Sequence, residues 1–317
     1  MSLTRYIIKR ILIAIPVLIG ITVLDYLIMT LAGSPLAMLQ GPRVSEAAVQ
    51  AKAIQLGLDQ PFIVQYWVWI KQLLHGNWGY SFRSYEYVAT LIQQHLYPTV
   101  LLMGSSLLIS LLIAVPAGIY SAVHQYSRSD YIIVTASFIG SSIPSFFLAL
   151  ALVALFSVKL GWLPSGNMYT LGAERSSGDV FLHLLLPMIV LVVANTGSII
   201  RYIRASMLEI LSQDYLKAAR ARGLGRRRVL YKHAFRNALV PVITVVGMMI
   251  PTLFGGAVIV EQVFSWPGLG LLTMQAISNR DFPIIMAVCL ISALVVLVTN
   301  LLTDILYAVA DPTIRYD

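Results

Sequence analysis

Charge is scarce in this chain. Asp, Glu, Lys and Arg make up 11% of its 317 residues, where a soluble domain carries roughly a quarter. Together with 58% apolar residues, this excludes a soluble globular protein and marks an integral membrane one. Cys289 is the single cysteine, so neither a disulfide within the chain nor a cysteine metal site exists. It lies in an apolar run and reads as a small buried side chain. His75, His95, His124, His183 and His233 are scattered, with no HExxH and no two-histidine helical pair, which excludes a membrane metalloprotease. No lysine follows a glycine, so the phosphate-cradling GxxxxGK[ST] loop is absent and ATP has no site here. A GxSxG serine-hydrolase signature is missing too. No catalytic residue, no metal and no bound cofactor is expected of this chain alone.

What is present is a series of long apolar runs. Arg5, Lys9 and Arg10 precede Ile11–Leu31, which at about 1.5 Å per residue crosses a hydrocarbon core of about 30 Å once. That run is too long for a signal peptide and lacks a cleavage site, so it reads as a retained anchor. Further spans are expected at Thr99–Ala122, Tyr131–Val158, His183–Ile200, Ala238–Val260 and Ile284–Tyr307, which makes six transmembrane helices. With the N-terminus inside, fifteen Lys and Arg fall on the cytoplasmic side: Arg5, Lys9, Arg10, Arg128, the ten from Arg201 to Arg236, and Arg315. Seven fall outside: Arg43, Lys52, Lys71, Arg83, Lys159, Arg175 and Arg280. The asymmetry puts both termini in the cytoplasm. Because the net charge of +8 clusters beside apolar spans, it does not indicate nucleic acid.

Ala32 to Leu96 is too polar for lipid and too long for a turn. It reads as an extracytoplasmic helical segment with three helices. One runs Glu46–Leu56, capped by Ser45 and closed by Gly57; a second runs Pro61–His75, stopped by Gly76. The third, Tyr85–His95, is expected along the membrane surface before Pro98 turns the chain into the second span. The stripe Phe62, Tyr66, Trp69, Leu73 reads as packing and not as a ligand site.

Several spans carry polar or helix-breaking residues. Pro116 and Gly118 lie in the second, and Ser141, Ser142, Pro144 and Ser145 in the third. Asn195, Thr196 and Ser198 in the fourth require a partner or a polar cavity. The fifth holds Pro241, Gly247, Met248, Met249, Pro251, Thr252, Gly255 and Gly256, which predicts a bent helix. Candidate path-lining residues are therefore Ser141, Ser142, Pro144, Asn195, Met248, Met249 and Thr252, with close helix packing as the competing reading of the small ones. Asn300 and Asp304 share a face of the last span, and Asp304 is expected near enough to the cytoplasm to be hydrated. Asp25 lies within the first span, towards the outer headgroups.

Between the fourth and fifth spans stands a polar island, DYLKAARARGLGRRRVLYKHAFRN, from Asp214 to Asn237. It reads as two short helices. Asp214 caps the first, with Tyr215, Leu216, Ala218, Ala219 and Ala221 inside it and Gly223 as its stop. The second begins at Arg226. Lys217-Ala218-Ala219, with Gly223 four residues on, resembles the EAA loop of the membrane subunits of binding-protein-dependent ABC importers. The general pattern's glutamate is Lys217 here, and its later proline is absent near Phe235-Arg236. DYLKAARARGL with RNALVPV, LGLDQPFIVQYWVWIKQLLHGNWGYSF and EQVFSWPGLG (Glu261–Gly270) are similar to the B-type permease of the oligopeptide, dipeptide and nickel branch.

The resemblance covers nearly the whole chain, and what it implies is specific. The fold would be an all-α type I importer (MetI-like) membrane fold. Residues 1–96 would hold the first span and the extracytoplasmic segment, 97–310 the transmembrane core, 207–237 the cytoplasmic coupling loop, and 311–317 a cytoplasmic tail. Asp214, Tyr215, Leu216, Lys217, Ala218, Ala219, Arg220, Gly223 and Leu224 would couple to an ATPase, with Leu216, Ala218 and Ala219 fitting its cleft. Ser265, Trp266, Pro267 and Gly268 would meet the binding protein. The partners implied are a second homologous permease subunit, two cytoplasmic ATP-binding subunits that hold ATP and Mg, and an extracytoplasmic substrate-binding protein, all at a bacterial or archaeal cell membrane. Peptide is the expected cargo, with nickel or glutathione as the alternative. A secondary transporter or channel is disfavoured, because inverted repeats and paired intramembrane charges are missing.

Overall fold

The computed structural model describes residues 3–32, 51, 54, 60–216, 222, 225 and 235–310. The expected helix Glu46–Leu56, most of the polar island and the tail lie outside them. The first helix, α1, runs Leu3–Ala32. Next, α2 (Phe62–Leu74) starts where Pro61 fixes the chain and its carbonyl accepts Val64 N at 2.9 Å. Gly76 ends it with φ +80, a conformation open to glycine. The stripe packs: the rings of Phe62, Tyr66 and Trp69 gather around Tyr26 of α1 at 5.6, 5.9 and 5.5 Å.

The third helix corrects an expectation. There is no separate surface helix ahead of Pro98, because α3 is one 36-residue helix, Val88–Val123, with Pro98 and Pro116 inside it. The third span is corrected in the opposite sense. It is broken into α4 (Arg128–Ser142) and α5 (Ser145–Leu152), the latter continuing as a π-helical stretch to Lys159, and the two arms are bent by 91°. Ile143, the residue before Pro144, is extended (φ −77, ψ 121), as proline demands of its predecessor. α6 runs Ser177–Ser212; its 36 residues make a rod of about 54 Å, longer than a bilayer core. The N-terminal turns of α4 and α6 are each fixed by a serine: Ser127 accepts from Asp130 N and Ser176 from Asp179 N.

α7 (Phe235–Gly256) carries Pro241 and Pro251, and after Ala257 come α8 (Val258–Val263), α9 (Leu269–Ser278) and α10 (Phe282–Ala310). Among the described residues, α1, α3, α6 and α10 are each long and apolar enough to cross a membrane, and the bent α4–α5 pair makes a fifth if counted as one span.

α6 is the hub, lying along α3 and α4, while α7 and α1 pack on α10. Glycines set the closest approaches. A Cβ on Gly197 of α6 would fall 2.3 Å from Ser137 O of α4, and one on Gly247 of α7 would fall 2.3 Å from Thr303 Oγ1 of α10. One apolar core surrounds Trp266, and another joins Ala114, Ile199, Ile203, Met207, Leu216 and Val245 at the far end of the bundle.

Candidate coupling and transport site

The coupling residues begin where α6 stops. The chain leaves the helix at Gln213 and re-enters it at Asp214, so Asp214 starts the next turn and Gln213 precedes it. Asp214 and Tyr215 are exposed, Tyr215 by 44%. Leu216 is fully buried among α3, α6 and α7. The expectation placed this side chain in an ATPase cleft, whereas in the chain by itself it packs in an apolar core, as the hydrophobic effect favours. Lys217, Ala218, Ala219, Arg220, Gly223 and Leu224 lie outside the described residues.

Two turns before the end of α6, α3, α4 and α6 are tied by an ion pair whose acid is buried and whose base, in sequence, is one of the cytoplasmic charges. Asp130, 2% exposed, accepts from Arg204 Nε and Nη2 at 2.8 Å each, from Tyr126 N at 2.9 Å and from the Ser121 hydroxyl. The fork-on-carboxylate geometry fixes direction as well as distance. Its readable trace was the Ser127-to-Asp130 spacing, a helix-start signal that also points the carboxylate back at the α3–α4 turn.

The candidate path residues come together in part. Ser141, Ser142 and Pro144 form the α4–α5 break, with Ser142 and Pro144 exposed. Beside them, Arg201 of α6 donates through Nη1 to Ser137 O (3.2 Å) and Ser141 Oγ (3.0 Å) and through Nη2 to Ser198 Oγ (3.2 Å), and lies over the Phe138 ring at 4.7 Å. Asn195 is half-buried one turn and a half away along α6, and Thr196 Oγ1 is buried with no hydrogen-bond partner. Met248 is 65% exposed, whereas Met249 packs against both cores. Thr252 falls within α7, but its side chain lies outside the described residues.

The segment EQVFSWPGLG is a packed corner. Trp266 is fully buried and donates from Nε1 to Pro98 O at 2.9 Å. Glu261, also fully buried, accepts from Leu271 N (2.8 Å) and Thr99 Oγ1 (3.3 Å). Burial pushes its carboxyl above the usual carboxylate range, and the Leu271 and Thr99 donors oppose that shift. Gly268 must be glycine, since a Cβ there would lie 2.3 Å from Glu261 Oε1. The expected receptor contact is therefore corrected for Trp266 and Gly268, which face inward to build the corner. Pro267 is half-buried and Ser265 is exposed. The loop before α6 locks onto the same corner, Asn167 N donating to Phe264 O at 2.7 Å.

The lone acids in the spans differ in their surroundings. Asp304 pairs with Arg10 of α1 at 3.0 Å, in place of the expected hydration alone. Asp25 is half-buried, its Oδ2 shielded and without a hydrogen-bond partner among the described residues, and Cys289 is exposed on α10 where a buried side chain was expected. Among the described residues no group of three or more His, Cys, Asp or Glu is arranged to hold a metal.

The described residues form an all-helical membrane bundle with a broken span and a polar tie between α4 and α6. Comparison with known proteins gives the family. The model described as "Binding-protein-dependent transport system inner membrane component" matches residues 114–316, and that of the N-terminal part of such membrane components matches residues 3–103. The chain belongs to this family of binding-protein-dependent transport system membrane components. It is 45% identical over 316 residues to the oligopeptide transport system permease protein AppB of Bacillus subtilis (strain 168), covering 99% of this chain and 100% of that one. It is 38% identical over 313 residues to the glutathione transport system permease protein GsiC of Escherichia coli (strain K12), covering 98% and 99%. The fold is similar to that of the MetNI methionine ABC transporter in an inward-facing crystal form, with TM-score 0.55 and 18% identity over 70% of this chain and 97% of that one.

Proposed function

We propose that this chain is a membrane subunit of an ATP-driven importer and that, with a second similar subunit, it encloses the path of peptides handed over by a binding protein. The observation that carries the reading is end-to-end identity of 45% with an oligopeptide permease. In this reading six spans cross the membrane, α7 being the sixth, both termini face the cytoplasm, and the segment between α1 and α3 lies outside. Two ATPase subunits hold ATP and Mg, and this chain hydrolyses nothing. Their closure pushes on the chain from Asp214 onward. Because the Asp130–Arg204 pair ties α6 to the α3–α4 turn, that push reaches α4 and the break above it along with α6. The 38% identity to a glutathione permease favours a second reading, in which the cargo is that γ-linked tripeptide.

The test is reconstitution of both permease subunits and both ATPases in liposomes with the binding protein. Labelled oligopeptides should accumulate only when ATP and the binding protein are both present, and excess glutathione should leave that uptake unchanged. ATP-dependent accumulation of labelled glutathione, with no uptake of the oligopeptides, would select the second reading. Hydrolysis of ATP by the purified chain alone would overturn both.

A further inference from the structure

We propose that the Arg201 guanidinium, beside the break between Ser142 and Ser145, is a subsite in the transport path that receives the carboxylate end of a peptide in transit. The inference rests on the peptide reading above. Asp130 and Arg204 mark the polar end of α4, and Ser141 lies eleven residues further along, about 16 Å by helix rise. Ser198, its other anchor, lies six residues before Arg204 on α6, about 9 Å by helix rise, so the guanidinium is held about 9–16 Å inside the Asp130–Arg204 tie, within the apolar stretch of both helices. Its partners there are all neutral: Ser137 O, Ser141 Oγ, Ser198 Oγ and the face of Phe138. Among the described residues no carboxylate is within ion-pair distance of it.

A full positive charge at that depth does not face lipid; it faces a water-filled path or a neighbouring subunit. The backbone at the break argues the same way. Non-helical chain at membrane depth persists only where protein or a watery cavity satisfies it, and Ser142 and Pro144 are exposed in this chain. On α6, Ser198 and Tyr202 beside the half-buried Arg201 are exposed too, Tyr202 by 40%. Three of the guanidinium's N–H groups go to the neutral acceptors, and its planar fork matches a carboxylate better than any other group a peptide carries. The same chemistry offered by an acidic side chain of the second permease subunit is the rival source.

Two measurements on the complete transporter separate these. In a Cys289→Ala background, a cysteine replacing Ser198 should react faster with an anionic methanethiosulfonate than with its cationic counterpart. Arg201→Gln should lower that rate ratio by about tenfold, the scale expected of one nearby unscreened charge. In liposomes, with the binding protein preloaded, Arg201→Gln should cut uptake of trialanine about tenfold, the scale of one charge-assisted hydrogen bond. Uptake of trialanine amide should change little, and Arg201→Lys should keep the preference for the free acid. Equal losses for acid and amide, as a helix cap or an ion pair to the second subunit would give, overturn the proposal. So does a residue 198 thiol without preference for the anionic reagent. Failure of the unmodified transporter to take up either peptide counts against the peptide reading, whereas the thiol ratio, measured without cargo, judges the anion subsite by itself.

Discussion

Leu216→Ala separates a core role from a docking role for the residue where the island begins. Leu216 is completely buried and belongs to an apolar cluster drawn from three helices, with Ala114 and Ala122 of α3, Ile203 and Met207 of α6, and Val245 of α7. A Leu→Ala change at such a site costs about 2–5 kcal/mol, more where the surroundings cannot collapse into the gap. Gly118 already brings α3 against α6, a Cβ there meeting Ile203 at 3.0 Å, so these helices have little room to close further. A cost of about 3 kcal/mol lowers a thermal midpoint by roughly 4–5 °C for a chain of this size. The measurement is thermal unfolding of the two membrane subunits purified without ATPases. Tyr215, exposed next to it, is the comparison. Tyr215→Ala should leave that midpoint within a degree or two, yet weaken ATPase association by about 2 kcal/mol, the typical loss of an aromatic interface residue. Unchanged melting of Leu216→Ala, with lost ATPase association, would refute the argument and return Leu216 to the interface.

Further outcomes follow from the packing and from the charge asymmetry. Arg204→Gln should cost about 3 kcal/mol or more, because it strands a carboxylate only 2% exposed. Asp130→Asn should cost less, since the Arg204 side chain is 22% exposed and can turn to water; the reverse order of melting midpoints would refute the assigned burial. Gly268→Ala should destabilise by about 1–3 kcal/mol through overlap with Glu261, seen as faster proteolysis of the α8–α9 corner, and protease resistance equal to the parent would count against that packing. With Cys289 replaced, a cysteine at Ser177 should react with an impermeant thiol reagent in intact cells and one at Ser212 should not, both positions being exposed; the opposite labelling would invert the topology.

The apolar runs were legible because hydropathy and length are local properties, and α1, α3, α6 and α10 follow them. The helix after Pro61 was legible for the same reason, since a proline start and a glycine stop are read off neighbours in sequence. Proline within a span was not decisive. Pro98, Pro116, Pro187, Pro241 and Pro251 are all absorbed into continuous helices, and only Pro144 marks a break. What distinguishes Pro144 is tertiary: Arg201, from a helix some sixty residues away in sequence, supplies donors to the C-terminal turn of α4. The burial of Leu216 and Trp266 is not legible in the sequence for a related reason. Helical spacing and an aromatic in a loop identify faces that will be buried, but not whose core will bury them. The Asp130–Arg204 pair was hidden because a positive-inside count treats each basic residue as a topological mark and is silent on its partner.

The two family matches meet between residues 103 and 114, inside α3. A seam between sequence units ordinarily falls in a loop that lets the parts swivel, but here it falls in mid-helix. The first unit is also riveted to α10 at both extremities: Arg10 grips Asp304 at one, and Ser81 Oγ and Phe82 N hold Asp281 at 2.5 and 3.1 Å at the other. Among the described residues the N-terminal unit thus shares α3 with the core and holds α10 near both of its ends, so any movement of α10 that keeps these contacts carries α1 with it.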